Sequence, residues 1–256
     1  MTARERQQAI IDILKKDDII HISDIVRTFD VSIETARRDL ITLQDGGLAT
    51  RINGGAVLKH QQGPTSRRMQ TSFAEKNAIA KAAAEMVYNG ETILLDAGTT
   101  IQLMARELKQ HHHLTVITHS LMVLEELRDT DNEIIMLGGI LRPGEQVFYS
   151  LETERMFDRY YVDKSFFSCM GITFEDGLTD LTDTFDRDLL RQHSEQMILL
   201  ADSSKWGFRS RIKVGGLDLA DAFVVDDHLD ELMLAELYSL GKNVVVAHTE
   251  NGSDEE

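Results

Sequence analysis

Two stretches of the sequence carry residue types whose spacing can do chemistry. The first is Val31-Ser32-Ile33-Glu34-Thr35-Ala36-Arg37-Arg38-Asp39-Leu40. A helix here places Ile33, Ala36, Leu40 and Leu43 on an inner face and turns Glu34, Thr35, Arg38 and Thr42 outward, with Arg37 at the flank. Hydroxyls and guanidinium groups on one face suit phosphates and base edges in a major groove. Ser32 at the start of the helix adds the positive end of its dipole. Arg51, Arg4 and Arg6 can clamp the flanking backbone. The same face also suits plain solvation, with Glu34 and Asp39 balancing the arginines.

The second stretch is Thr92-Ile93-Leu94-Leu95-Asp96 followed by Ala97-Gly98-Thr99-Thr100. Small residues between a strand end and a helix start let backbone N–H groups approach an anion, and threonine hydroxyls add donors. Capping alone also explains Gly and Thr in such a turn. Further loops follow later apolar runs: Thr118-His119-Ser120, Gly138-Gly139, Gly171, and Asp202-Ser203-Ser204-Lys205-Trp206-Gly207. In a parallel sheet these loops gather at the carboxyl edge, where ligands of open α/β sheets sit. Lys205 can then neutralise a phosphate, and Asp96 or Asp202 can accept from sugar hydroxyls. Taken singly, His119 also fits an exposed turn, Gly138-Gly139 a terminator and Lys205 a solvated side chain.

The elements that must position these groups are legible in outline. Apolar spacing predicts a helix from Arg4 to about Lys16, a brief strand over Ile19, Ile20 and Ile22, and a second helix capped by Ser23. A third helix follows Ser32 and ends at Gly46-Gly47. Leu48–Ile52, the turn Asn53-Gly54-Gly55 and Ala56–Leu58 make a hairpin, completing a winged helix-turn-helix over residues 1–58. Residues 59–72, polar and containing Pro64, read as a linker. From 73 to 250 helical segments near Phe73, Ile101, Leu121, Leu151, Thr184 and Leu229 alternate with seven β-rich runs. These are Thr92–Asp96, Thr115–Thr118, Glu133–Leu137, Ser165–Met170, Gln196–Ala201, Ala222–Asp226 and Asn243–Ala247. That rhythm predicts a mostly parallel, Rossmann-like α/β domain covered on both faces.

Composition narrows the function classes. The chain has 256 residues and a net charge of −16, with a single cysteine, Cys169. One cysteine excludes an internal disulfide and a cysteine zinc site. The longest apolar runs fall short of the ~18 residues a membrane helix needs, and the first ten residues are charged where a signal peptide is apolar. A cytoplasmic protein with no membrane partner is expected. Such an acidic average argues against nucleic-acid binding, but the charge is uneven. Residues 1–60 carry nine Lys/Arg and nine Asp/Glu, so the remainder, with 18 and 34, carries the entire −16. A neutral head on an acidic body suggests two domains with different partners. His111-His112-His113 reads as a solvated loop without a carboxylate partner, Cys169 as a packed small hydrophobe in a strand, and Asp254-Glu255-Glu256 as a frayed tail.

Residues 31–58, VSIETARRDLITLQDGGLATRINGGAVL, resemble the DNA-binding signature of the DeoR family of bacterial repressors. Val31, Ser32, Thr35, Arg37, Arg38, Asp39, Leu40, Leu43, Gly47, Arg51, Gly54, Gly55 and Ala56 match; Asn53 stands where the family has histidine. The resemblance places Ser32, Thr35, Arg37 and Arg38 on the recognition helix and makes Asp39 a structural partner that orients an arginine. Runs 94–100, 115–120, 137–139, 171–179 and 199–207 resemble the family's sensor domain, which is similar to ribose-5-phosphate isomerase and glucosamine-6-phosphate deaminase. By implication Gly98, Thr99 and Thr100 hold a phosphate, while Asp96, Ser120, Gly139, Asp202 and Lys205 line the pocket. The chain departs from the family at His119 (commonly Asn), at Ser150-Leu151 (often Gly-Pro) and around Asp183 and Arg187 (often Glu and Lys).

The reading that follows is a repressor of a carbohydrate-utilisation operon, released by a phosphorylated sugar. Its expected partners are a double-stranded DNA operator, that effector, and further copies of the chain in a dimer or tetramer. Ser32, Glu34, Thr35, Arg37, Arg38 and Arg51 are the expected DNA-binding residues. Asp96, Gly98, Thr99, Thr100, His119, Ser120, Gly139, Gly171, Asp202 and Lys205 are the expected effector-binding residues. No cofactor, metal or catalytic residue is expected. The competing reading is a sugar-phosphate isomerase or deaminase with Asp202 and Lys205 in acid–base roles, with Asp96 and Glu175 as further carboxylates.

Overall fold

The computed structural model describes residues 1–17, 19–45, 48–52, 54–58, 69, 71–181 and 185–249. Expectations about Gly46-Gly47, Asn53, most of the 59–72 linker, Asp183, the helix start at Thr184 and the acidic tail lie outside them.

The first elements are α1 (Ala3–Asp17), β1 (Ile19–His21), α2 (Ile22–Phe29), α3 (Ile33–Asp45), β2 (Ala49–Ile52) and β3 (Gly55–Leu58). Apolar residues at helical spacing close one core: Ile10 and Leu14 of α1, Ile25 of α2, and Ala36, Leu40 and Leu43 of α3. Each fully buried Leu or Ile contributes roughly 1.5–3 kcal/mol. The wing is larger than the sequence implies, because β1 pairs with β3 to give the order β1-β3-β2. A Cβ on Gly55 would run into the Ile20 carbonyl, so only glycine lets β3 approach β1. Asp30 ends α2 in the left-handed region, with φ 49°, which Asp tolerates better than most residues. Ser32 caps α3, its Oγ accepting from the Thr35 N–H at 3.2 Å.

Two local expectations fail here. The second helix starts at Ile22, after His21, so Ser23 sits inside its first turn and caps nothing. Ile33 is 55% exposed rather than internal. It is the first residue of α3, and its Cα–Cβ bond tilts toward the helix start, beyond the core.

From Phe73 the architecture changes. The elements are α4 (Phe73–Ala84), β4 (Thr92–Leu95), α5 (Thr99–Glu107), β5 (Thr115–Thr118), α6 (Leu121–Leu127) and β6 (Glu133–Met136). Then come β7 (Leu141–Arg142), β8 (Val147–Phe148), α7 (Leu151–Phe157), β9 (Val162–Phe167), β10 (Gly171–Thr173) and β11 (Gly177–Asp180). The last are α8 (Arg187–His193), β12 (Ser194–Leu200), β13 (Ile212–Gly215), β14 (Ala222–Asp226), α9 (Glu231–Ser239) and β15 (Asn243–Ala247). Seven strands form one parallel sheet in the order β15-β14-β12-β9-β4-β5-β6. They are the seven apolar runs of the sequence.

Side-chain alternation divides the interior. Ile93 and Leu95 face a core shared with α4 and α5, while Leu94 faces the other, with Phe157, Phe167 and Phe223. Burial on both faces explains why these strands read as continuous apolar runs. The chain leaves β4 toward β5 on one side, yet β9 pairs with β4 on the other. Strand order therefore reverses between β4 and β9, and the loops after them open a crevice at the carboxyl edge. Two small antiparallel sheets, β7-β8 and β10-β11-β13, had no clear sequence signal.

Candidate DNA-reading face and effector site

Asp39 anchors the first site. It is buried on α3 and accepts from Arg6 Nε at 2.5 Å and from Gln7 Nε2 at 2.9 Å, fastening α1 to α3. The arginine that Asp39 orients is thus Arg6, which is itself buried and unavailable to clamp a phosphate. Ser32, Glu34, Arg37, Arg38 and Arg51 are exposed, and Thr35 is half-buried. The hydroxyls are already engaged. Ser32 Oγ and Thr35 Oγ1 lie 2.9 Å apart, and Thr42 Oγ1 donates to the Arg38 carbonyl at 3.0 Å. The Arg51 N–H donates to Gln44 Oε1 at 3.2 Å, tying the wing to α3. Glu34, Arg37, Arg38 and Arg51 have no side-chain partner among the described residues.

The second site is built on the β4–β9 crevice. Asp96, directly after β4, is buried between Arg187 and His119. Arg187 Nη1 donates to its Oδ2 at 2.7 Å and His119 Nε2 to its Oδ1 at 2.8 Å. His119 Nδ1 lies 2.9 Å from the Phe148 carbonyl. Burial pushes the Asp96 carboxyl up, but the Arg187 charge and the His119 contacts outweigh it and hold it far below the usual carboxylate range. Thr118 Oγ1 donates to the Leu95 carbonyl at 2.7 Å and accepts the Ser120 N–H at 3.1 Å, so Ser120 sits beside the same strand end.

After Asp96 comes Gly98, at φ 141°, then α5, whose N-terminus no side chain caps. Its first N–H groups lack intrahelical acceptors, leaving a partial positive charge next to buried Thr99 and Thr100. Asp202, after β12, uses Oδ1 to accept from the N–H and Oγ of Ser204. Its Oδ2, together with Ser120 Oγ and Arg187 Nε, is buried without a partner among the described residues. Three such atoms in one region call for a ligand or ordered water. Burial also raises Asp180, at the end of β11, to about 6 against the pull of Arg187 and Lys205. Burial pushes the Cys169 thiol up to about 12 within the fields of Asp180, Lys205, Arg187 and Asp202. Cys169 is thus an inert packing residue, although it follows β9 rather than lying in it.

The crevice therefore brings Asp96, Gly98, Thr99, Thr100, His119 and Ser120 together, with Asp202 and Lys205 arriving from β12. Gly139 and Gly171 also have packing reasons of their own. A Cβ on Gly139, at φ 148°, would strike Thr153 Oγ1, and one on Gly171 the Phe208 carbonyl. Arg187 is the crevice residue that sequence reasoning missed as a site member. A cation in the first turn of α8 opposes the helix dipole, and that mismatch was the available signal. Trp206 packs between Phe174 and Phe223, and His112 Nδ1 does find a carboxylate, Asp131, at 3.2 Å.

Comparison with known proteins places this geometry. Residues 6–62 match the model of the DeoR-like helix-turn-helix domain, and residues 71–227 match the DeoR C terminal sensor domain. The chain is 32% identical over 249 residues to the HTH-type transcriptional regulator GolR of Listeria innocua, covering 95% of this chain and 98% of that one. It is 29% identical over 231 residues to the glycerol-3-phosphate regulon repressor of Escherichia coli, covering 88% and 92%. Among solved structures, ribose 5-phosphate isomerase A from Methanocaldococcus jannaschii aligns at 19% identity and a TM-score of 0.37, over 51% of this chain and 53% of that one. With a winged reader, a parallel sensor sheet and both family models matched, this chain belongs to the DeoR family of helix-turn-helix transcriptional regulators.

Proposed function

We propose that the chain represses a carbohydrate-utilisation operon and leaves its operator when a phosphorylated sugar fills the β4–β9 crevice. One observation carries the effector class: an uncapped helix N-terminus beside a buried acid, with Ser120 Oγ, Arg187 Nε and Asp202 Oδ2 unpartnered around it. The N–H groups of Gly98, Thr99 and Thr100 cradle the phosphate, and Lys205 neutralises it. Asp96, Ser120 and Asp202 take the sugar hydroxyls, with His119 and Arg187 holding Asp96 in its charged form. A relative named for a glycerol-3-phosphate regulon supports a phosphorylated ligand.

On the DNA side, residues 1–58 read the operator through Glu34, Arg37 and Arg38, with Ser32, Thr35 and Arg51 at the backbone. Residues 59–72 link them to the sensor at 73–250. Two or four copies joined through their sensors present paired readers to related half-sites. The effector favours an arrangement in which both readers no longer fit. A near-complete switch needs a preference of about 5.5 kcal/mol between the two states.

A catalytic role is the weaker reading. A general base works best with a pKa near the operating pH, whereas Asp96 is doubly paired and held far below it. Thermal-shift measurements against a panel of sugar phosphates test the proposal. At least one is expected to stabilise the protein, and Lys205→Ala to bind operator but resist release. Stabilisation by none of the panel, or turnover of one at an ordinary enzymatic rate, refutes it.

A further inference from the structure

The exposed isoleucine at the start of α3 has no structural use. Ile33 is 55% and Ile41 43% exposed, and neither belongs to the core that α3 builds with α1 and α2. A single exposed apolar residue is ordinary, but the surroundings of Ile33 are specific. It shares the first turn of α3 with Glu34, and Arg37 and Arg38 stand one turn further on. These three polar side chains are exposed and without partners among the described residues. The nearby hydroxyls are engaged by the Ser32–Thr35 cap and the Thr42–Arg38 bond.

A recognition helix meets base edges with its N-terminal residues. The groups free to meet them here are one acid, two guanidinium groups and one branched aliphatic chain. In the major groove the apolar feature of a base edge is the 5-methyl group of thymine. We propose that Ile33 reads a thymine 5-methyl in each half-site and so helps set operator specificity. The inference rests on the DNA-binding reading of α3 and adds the base type that one position of the site must contain.

The test begins with duplexes selected by the full chain from a random-sequence library. Each thymine of the selected site is then replaced by uracil, which deletes the methyl group alone. Wild type is expected to lose affinity about fourfold at one thymine per half-site, the value of one buried methyl. Ile33→Ala is expected to bind more weakly and to treat thymine and uracil alike there. Ile33→Val, which keeps a branched apolar end, retains most of the discrimination. Ile41→Ala leaves it unchanged.

An Ile33→Ala protein as sensitive to the missing methyl as wild type overturns the proposal. So does a selected duplex in which no thymine methyl matters, while leaving the DNA-binding reading intact. Failure to enrich any sequence removes that reading and this inference with it.

Discussion

Replacing Arg187 with methionine isolates the charge balance of the sensor crevice. Methionine keeps an apolar stem where the guanidinium stood 5.1 Å from the Phe167 ring but removes the charge beside Asp96. The two side chains are only 4% and 6% exposed, so the abandoned carboxylate faces His119 alone in a poorly solvated place. Breaking a buried pair from one side costs about 3–5 kcal/mol. At about 2–4 °C per kcal/mol for a chain of this size, unfolding is expected to fall by roughly 6–20 °C. Trp206, the single tryptophan, is 2% exposed within the sensor core, so its fluorescence reports that unfolding directly. The pH dependence has a definite sign. In wild type the depressed Asp96 pKa contributes stability above the unfolded value of about 3.9, lost as pH falls through the folded value. Without Arg187 the folded pKa rises, so the variant's deficit is largest at neutral pH and narrows toward pH 4. Adding Asp96→Asn, which removes the stranded charge, recovers most of the loss. A shift under 2 °C at pH 7, or no recovery in the double variant, refutes the reasoning.

Asp39→Asn leaves Arg6 buried without its carboxylate, at a cost of about 3 kcal/mol to the reader. Operator affinity in a gel-shift assay is expected to fall while the Trp206 transition stays in place. Asp180→Asn works in the opposite sense. A carboxyl raised to about 6 in the folded state lowers stability increasingly from about pH 4 upward and in full above pH 6. The variant should therefore match wild type near pH 4 and exceed it by about 3 kcal/mol at pH 7.5 in urea unfolding; a less stable variant at pH 7.5 contradicts this. Four exposed arginines, Arg4, Arg37, Arg38 and Arg51, lack ion-pair partners among the described residues. If all four meet phosphates, log affinity against log salt slopes at about −3.6 per reader and about −7 for a pair. A slope near −1 means they do not.

What the sequence disclosed followed from how many residues each signal spans. The seven sheet strands were legible because both faces are buried, making Ile93, Leu94 and Leu95 one apolar run although they face different cores. The two-residue strands Leu141–Arg142 and Val147–Phe148 offer no periodicity at all. Gly171–Thr173 and Gly177–Asp180 pair with each other but are too short for a periodic signal, and the further partner of the second, Ile212–Gly215, comes from beyond another helix. Asp96 stood out as an acid at a strand end. Its partner Arg187 lies 91 residues away, and only the fold joins them. Arg6 misled for the same reason: near the chain start it resembles a phosphate clamp, and its pairing with Asp39 is tertiary. Ile33 misled by period, since helical spacing assigns a face but ignores whether the core extends to the first turn.

Charge distribution constrains how a ligand at Asp96 can act on a duplex at α3. The segment after residue 60 carries the whole net charge of −16 and already repels DNA, so one phosphorylated ligand adds little to that repulsion. Screening over about 8 Å at physiological salt weakens even that addition for groups in separate domains. On the proposed reading, release must therefore come from differential contact: a ligand that binds both arrangements equally shifts neither. Arg187 is suited to supply the difference. It opens α8 and joins Asp96, after β4, to the Ser168 carbonyl, after β9, at 2.7 and 3.5 Å. Its Nε is still unpartnered. On the proposed reading, a phosphate or hydroxyl that engages this guanidinium competes with a bond spanning the crevice rather than filling an indifferent hole. The exchange alters how α8 is held against β4 and β9, and a change in a packed element can pass to the proposed interface between sensors, whereas the ligand's charge alone cannot.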